Sequence, residues 1–94
     1  MNPIIERHRR QILKLAATRG ITNVRLFGSM ASGEVSGASD VDLLVDLPPG
    51  RSGLALGGFL MDIQELLNCK VDVVTEASLH PRIRNSVLRQ AIRL

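Results

Sequence analysis

A Gly28-Ser29 pair, ten intervening residues and then Asp40-Val41-Asp42 constrain this chain more than any other stretch. Val24, Leu26 and Gly28 alternate with Arg25 and Phe27, the period of a strand that ends at the Gly-Ser pair. Val41 to Leu47 reads as a buried strand stopped by Pro48-Pro49-Gly50. The linker at 29–39 is rich in Ser, Gly and Ala and too brief for a long helix, so the two strands are expected to pair antiparallel. The stretch also joins two chemistries. Small residues with open backbone N–H groups suit a polyphosphate, and two carboxylates two residues apart suit a divalent cation. Core packing asks for neither.

The remaining elements follow from periodicity. Asn2 can cap, and Pro3 can start, a first helix with Ile4, Ile5, His8, Ile12, Leu15 and Ala16 on one face, ended by Gly20. Leu56, Phe59, Leu60, Ile63, Leu66 and Leu67 repeat at helical spacing, so a second helix is expected over 54–68 despite Gly57 and Gly58. Residues 70–75 read as a third strand, and Ile83, Val87, Leu88 and Ala91 mark a C-terminal helix from about residue 81. Two strands joined through a helix favour a right-handed parallel crossover. The expected class is α/β (α+β): a small mixed sheet of three to four strands flanked by helices, with residues 1–94 as one domain.

Composition narrows the function. Apolar residues make up 45% of the chain but only Phe27 and Phe59 are aromatic, so the core is aliphatic and base-stacking platforms are scarce. The net charge is +3, with basic clusters at both ends: Arg7, Arg9, Arg10, Lys14 and Arg19, then Arg82, Arg84, Arg89 and Arg93. The acids gather in the middle, a layout compatible with nucleotide, nucleic acid or an acidic protein partner. Cys69 stands alone, which points to a reducing, cytoplasmic setting. No apolar run is long enough to span a membrane.

Asp40 and Asp42 lie at i and i+2 at a strand start, so both carboxylates face one way and repel unless a cation lies between them. With only oxygen ligands nearby, Mg²⁺ is the natural candidate. Asp72 interrupts the valines of Lys70-Val71-Asp72-Val73-Val74. If its strand lies beside the second, it completes a three-carboxylate cluster able to hold metal and to accept a proton from an attacking hydroxyl. Taken singly, a Gly-Ser is usually a turn and an Asp-x-Asp often a solvated strand end. Their ordered combination is the signal. His8 reads as a packing residue, His80 as part of a helix start, and Cys69 as a small buried side chain; no second nitrogen ligand at zinc spacing accompanies either histidine.

At Gly28-Ser29, residues 30–39 and Asp40-Val41-Asp42, the chain resembles the minimal nucleotidyltransferase (MNT) proteins of the DNA polymerase β-like nucleotidyltransferase superfamily. The resemblance extends to Lys70-Val71-Asp72-Val73-Val74-Thr75 and His80-Pro81-Arg82-Ile83-Arg84. It implies a polymerase β-like core, Mg²⁺ on Asp40, Asp42 and Asp72, and the same three acids as catalytic residues. It also implies ATP phosphates at Gly28 and Ser29, with Ser39 among the nucleotide-binding residues. Many MNT proteins act as antitoxins that transfer AMP from ATP to a tyrosine of a helical HEPN toxin, and that is the activity expected here. The alternatives are a catalytically weak module that neutralises its partner by complex formation, or nucleotide transfer to RNA or a small molecule. Nucleic acid is not expected as a direct partner. One residue departs from the family pattern Gly-Ser-x-Ala-Arg-Gly: Ser32 stands where an arginine is usual, and a serine cannot pair bidentately with phosphate. Arg25 and Arg51 are the candidates to replace it.

Overall fold

The computed structural model describes residues 3–28, 41–50 and 53–94. Helix α1 (Pro3–Thr18) leads into strand β1 (Thr22–Phe27), and strand β2 (Val41–Asp46) follows. Helix α2 (Gly53–Leu67), strand β3 (Val71–Val74), a 3₁₀ turn (Glu76–Ser78), helix α3 (Pro81–Gln90) and a two-residue strand β4 (Ile92–Arg93) complete the order. The sheet runs β3-β2-β1-β4. β1 is antiparallel to β2 and β4, while β2 and β3 are parallel with α2 as their crossover. The expected mixed α+β sheet and both expected strand orientations are what the chain forms.

The ends of α1 and α2 explain themselves locally. Gly20 adopts φ +74°, and the Ile21 and Gly20 N–H groups donate to the Ala16 and Ala17 carbonyls. That is a Schellman ending, and it folds Ile21 back into the core. Asn68, also left-handed, ends α2 and donates its N–H to Gln64. Gly58 sits mid-helix for a packing reason. The Arg19 guanidinium lies over it, where a Cβ would collide, and donates from Nε to Asp62 Oδ2 at 2.7 Å. The pair Arg19–Asp62 thus ties the end of α1 to the flank of α2.

One sheet face is closed. Val24, Leu26, Val41, Leu43, Val45 and Val71 meet Ile5, Ile12 and Ala16 of α1 and Phe59 and Ile63 of α2 in a single buried cluster. Ile4 is a correction to the expected helix face: it is 48% exposed, one position outside the stripe that Ile5 and Ile12 define. His8 is half-buried and donates from Nδ1 to the Ile4 carbonyl at 2.8 Å, so its polar need is met within its own helix.

A second correction concerns the C-terminal segment. The helix stops at Gln90, Ala91 turns extended, and Ile92 and Arg93 pair with Leu26 and Arg25. The strand covers the β1 edge, where main-chain groups would otherwise be unpaired. The Leu94 N–H donates to the Val24 carbonyl, and Leu94 joins the main core. Periodicity alone extended α3 because Ala91 and the residues beyond it carry no breaker. Only Val87 of the expected α3 stripe is buried; Ile83 and Leu88 are 49% and 37% exposed.

Candidate active site

The opposite sheet face carries the polar residues. Alternation directs Arg25, Phe27, Asp42, Leu44, Asp46, Asp72 and Val74 away from α1 and α2. Leu44 packs there on Leu79 and Val87, with Phe27 and Val74 beside them, so α3 covers only part of this face.

The register assembles the site. Phe27 of β1 stands opposite Asp42 of β2, and Asp42 opposite Asp72 of β3, so neighbouring strands deliver two carboxylates to one end of the sheet. Gly28 follows Phe27 with φ +74°, and a Cβ there would collide with the Asp42 carboxylate. Glycine serves twice at that position: it takes the left-handed turn and leaves Asp42 room to lean over β1. Burial, and then the charge of Asp72, push the Asp42 carboxyl above its ordinary range. Two acids held this way repel each other, and an oxygen-preferring cation between them relieves both causes. The donor set therefore fits Mg²⁺. Among the described residues no three His, Cys, Asp or Glu side chains form a metal-holding group; Asp42 and Asp72 are two of the three acids singled out in the sequence.

These groups open into a cavity of about 480 Å³, large enough for a nucleotide. Its floor is Phe27, Gly28, Asp42, Asp72 and Val74, and its wall is Ser78 to His80 with Ile83, Ser86, Val87 and Gln90 of α3. Gly28, Asp42 and Asp72 thus share one cavity. Ser29, Ser39 and Asp40 lie outside the described residues, as do Ser32 and Arg51. Arg25 does not stand in for the arginine that Ser32 replaces: it is held on Asp46 at 2.8 Å, with Glu76 at 3.8 Å, further down β1. The sequence resemblance reaches His80 and Ile83 but assigns the α3 wall no part in the site. Its spacing of three to four residues from Leu79 to Gln90 is visible, but which sheet face it covers is not.

The chain belongs to the nucleotidyltransferase domain family, whose profile matches residues 5–94. Within that class it is similar to minimal nucleotidyltransferases and protein adenylyltransferases. A solved structure described as a candidate minimal nucleotidyltransferase superposes with a TM-score of 0.82 at 42% identity, covering 96% of this chain and 92% of that one. The protein adenylyltransferase MntA of Thermococcus cleftensis is 36% identical over 78% of this chain and 74% of its own. MJ0435 of Methanocaldococcus jannaschii, described as a candidate protein adenylyltransferase, is 33% identical over 89% of this chain and 90% of its own. A toxin–antitoxin complex solved with AMP-PNP shares the fold, with a TM-score of 0.71 at 23% identity over 89% of this chain and 69% of that one.

Proposed function

We propose that the protein is an Mg²⁺-dependent adenylyltransferase of the antitoxin type, moving AMP from ATP to a tyrosine of a HEPN-type toxin partner. The observation that carries the reading is the alignment of Asp42 with Asp72 beside Gly28, in a chain of this family whose relative MntA is a protein adenylyltransferase. Asp40, Asp42 and Asp72 are the residues that would hold Mg²⁺, which when bound neutralises charge on the phosphates and the leaving group. Gly28 and Ser29, with Ser39, receive the phosphates through close backbone approach and hydroxyl donors. Asp72 accepts the tyrosine proton as the phenolic oxygen attacks the α-phosphorus; a P–O bond forms there, the bond to the β-phosphate oxygen breaks, and pyrophosphate leaves.

The test mixes the protein, ATP labelled at the α-phosphate, Mg²⁺ and the HEPN partner. Label is expected on one partner tyrosine, falling by about 10²–10⁴-fold with Asp72→Asn, the range for loss of a general base. Transfer that survives Asp40→Ala with Asp42→Ala defeats the assignment. A second reading is neutralisation by complex formation alone, supported by the exposed Ile83 and Leu88 among Arg82, Arg84 and Arg89 on α3. Under that reading the same double variant binds and neutralises the toxin; binding without neutralisation excludes it.

A further inference from the structure

The two histidines of this chain sit in opposite hydrogen-bonding roles. His8 uses Nδ1 as a donor, to the carbonyl of Ile4. His80 uses Nδ1 as an acceptor: it caps α3, receiving the Arg82 N–H at 3.1 Å, at the position just before Pro81. A neutral imidazole whose Nδ1 accepts must carry its hydrogen on Nε2. The helix cap therefore sets the tautomer, and the ring edge left over is a donor.

His80 lines the carboxylate cavity together with Asp42 and Asp72. The topology places it at a particular end. α3 starts just after β3 and runs to β4, which pairs with β1, so it crosses the sheet face from the Asp72 strand toward the Gly28 strand. His80 therefore stands on the β3 side of that crossing. The other polar lining groups do not duplicate it. Asp42 and Asp72 only accept when ionised, and the Ser78 hydroxyl donates to the Thr75 carbonyl at 2.8 Å. Ser86 and Gln90 belong to the later turns of α3, toward β4. Among the described lining residues there is no lysine or arginine.

We propose that His80 is a substrate-contacting residue of the transfer, its Nε2–H donating to a non-bridging oxygen of the phosphoryl group being moved. The inference rests on the nucleotide reading of the cavity. A donor fixed before the reaction gains strength as negative charge builds on those oxygens, so it favours the transition state over the ground state. One residue thus starts the helix with one nitrogen and serves the reaction with the other.

The experiment separates the two nitrogens. Asparagine is a strong N-cap whose side-chain oxygen replaces the Nδ1 acceptor, while its Nδ2 donor falls near the Cδ2 position of the ring and does not reach as far as Nε2. His80→Asn is expected to melt like the wild type, while kcat and kcat/KM for adenylyl transfer fall together, by about 10²-fold. His80→Ala loses the cap as well and melts lower. In ¹⁵N-labelled wild-type protein, histidine ring spectra should show His80 as the Nε2–H tautomer and His8 as the Nδ1–H tautomer. Mg²⁺ with a non-hydrolysable ATP analogue should then move the His80 ring signals and leave those of His8; Mg²⁺ with adenosine should move neither. Transfer by His80→Asn at the wild-type rate overturns the proposal, as does a His80 ring indifferent to the analogue, or one that responds equally to adenosine. If the wild type transfers AMP to no partner while its His80 ring still answers only the phosphorylated ligand, the adenylyltransferase reading fails and the His80 contact stands.

Discussion

The two faces of the sheet are made by the same strands with the same alternation, yet they do opposite work. Toward α1 and α2, Val24, Leu26, Val41, Leu43 and Val45 are at most 3% exposed, and the cluster they form is wholly apolar. Toward α3, the alternate positions hold Arg25, Phe27, Asp42, Asp46 and Asp72, and a single ten-residue helix leaves a cavity open over two of the acids. The closed face stabilises the sheet, and the open face uses that rigidity to hold two like charges in register. A pair of adjacent carboxylates opposes folding unless something else fixes the strands, and here the something else is directly behind them.

The sharpest way to break this division is to damage the closed face alone. Leu43→Ala removes a side chain with no exposure, between Asp42 and Leu44, and should cost about 2–5 kcal/mol, read as a lower denaturation midpoint. For a chain of this size such a loss approaches the whole stability, so the open face should lose its order at the same midpoint. Separate transitions for the two faces would refute the dependence.

Gly28→Ala strikes the seam between the faces. The left-handed backbone alone costs a non-glycine residue about 1–2 kcal/mol, and the new methyl displaces the Asp42 carboxylate. Stability and transfer should both fall, whereas a change confined to stability would mean that the position of Asp42 is unimportant.

A smaller effect, of opposite sign, is expected from Asp42→Asn. Because the folded protein raises the Asp42 pKa, the native state binds the proton more tightly than the unfolded chain does. Its share of stability is therefore intact at low pH and is lost as pH rises from the ordinary aspartate value through the raised one. In cation-free buffer at neutral pH, Asp42→Asn should melt higher than wild type and lose that portion of the pH slope. Mg²⁺ should raise the wild-type melting temperature and leave that of the variant nearly unchanged. A lower-melting Asp42→Asn protein would show that the open face is not under electrostatic strain.

The smallest test compares neighbouring glycines of α2. A Cβ added at Gly57 would meet nothing within 4 Å, so Gly57→Ala should stabilise by about 0.5–1 kcal/mol through helix propensity. At Gly58 the gain is offset by displacement of the Arg19 guanidinium from its place beside Asp62. Equal gains at both positions would show that the α1–α2 tie contributes nothing.

Much of this was legible in one dimension because it depends on local chemistry. Val24 to Phe27 and Val41 to Leu47 announce two strands, and the valines around Asp72 announce a third. Alternation in β2 separates Val41, Leu43 and Val45 from Asp42, Leu44 and Asp46 without any knowledge of what covers them. Spacing could not reveal the two-residue β4, since so short a strand has no periodicity and exists only because the β1 edge is there to pair with. Nor could it place Arg25, whose charge is as available in sequence as that of any other arginine but is spent on Asp46 in the fold.

For this protein, then, sequence determined the parts: which residues alternate, and where acids and glycines fall along the strands. Tertiary structure decided their company. Parallel pairing of β2 with β3 set Asp42 opposite Asp72, and the path of α3 across the open face brought His80 and Gln90 to the same cavity. The physical reason is that alternation is a property of a single strand, whereas register and helix docking arise from hydrogen bonds and apolar burial between segments distant in the chain.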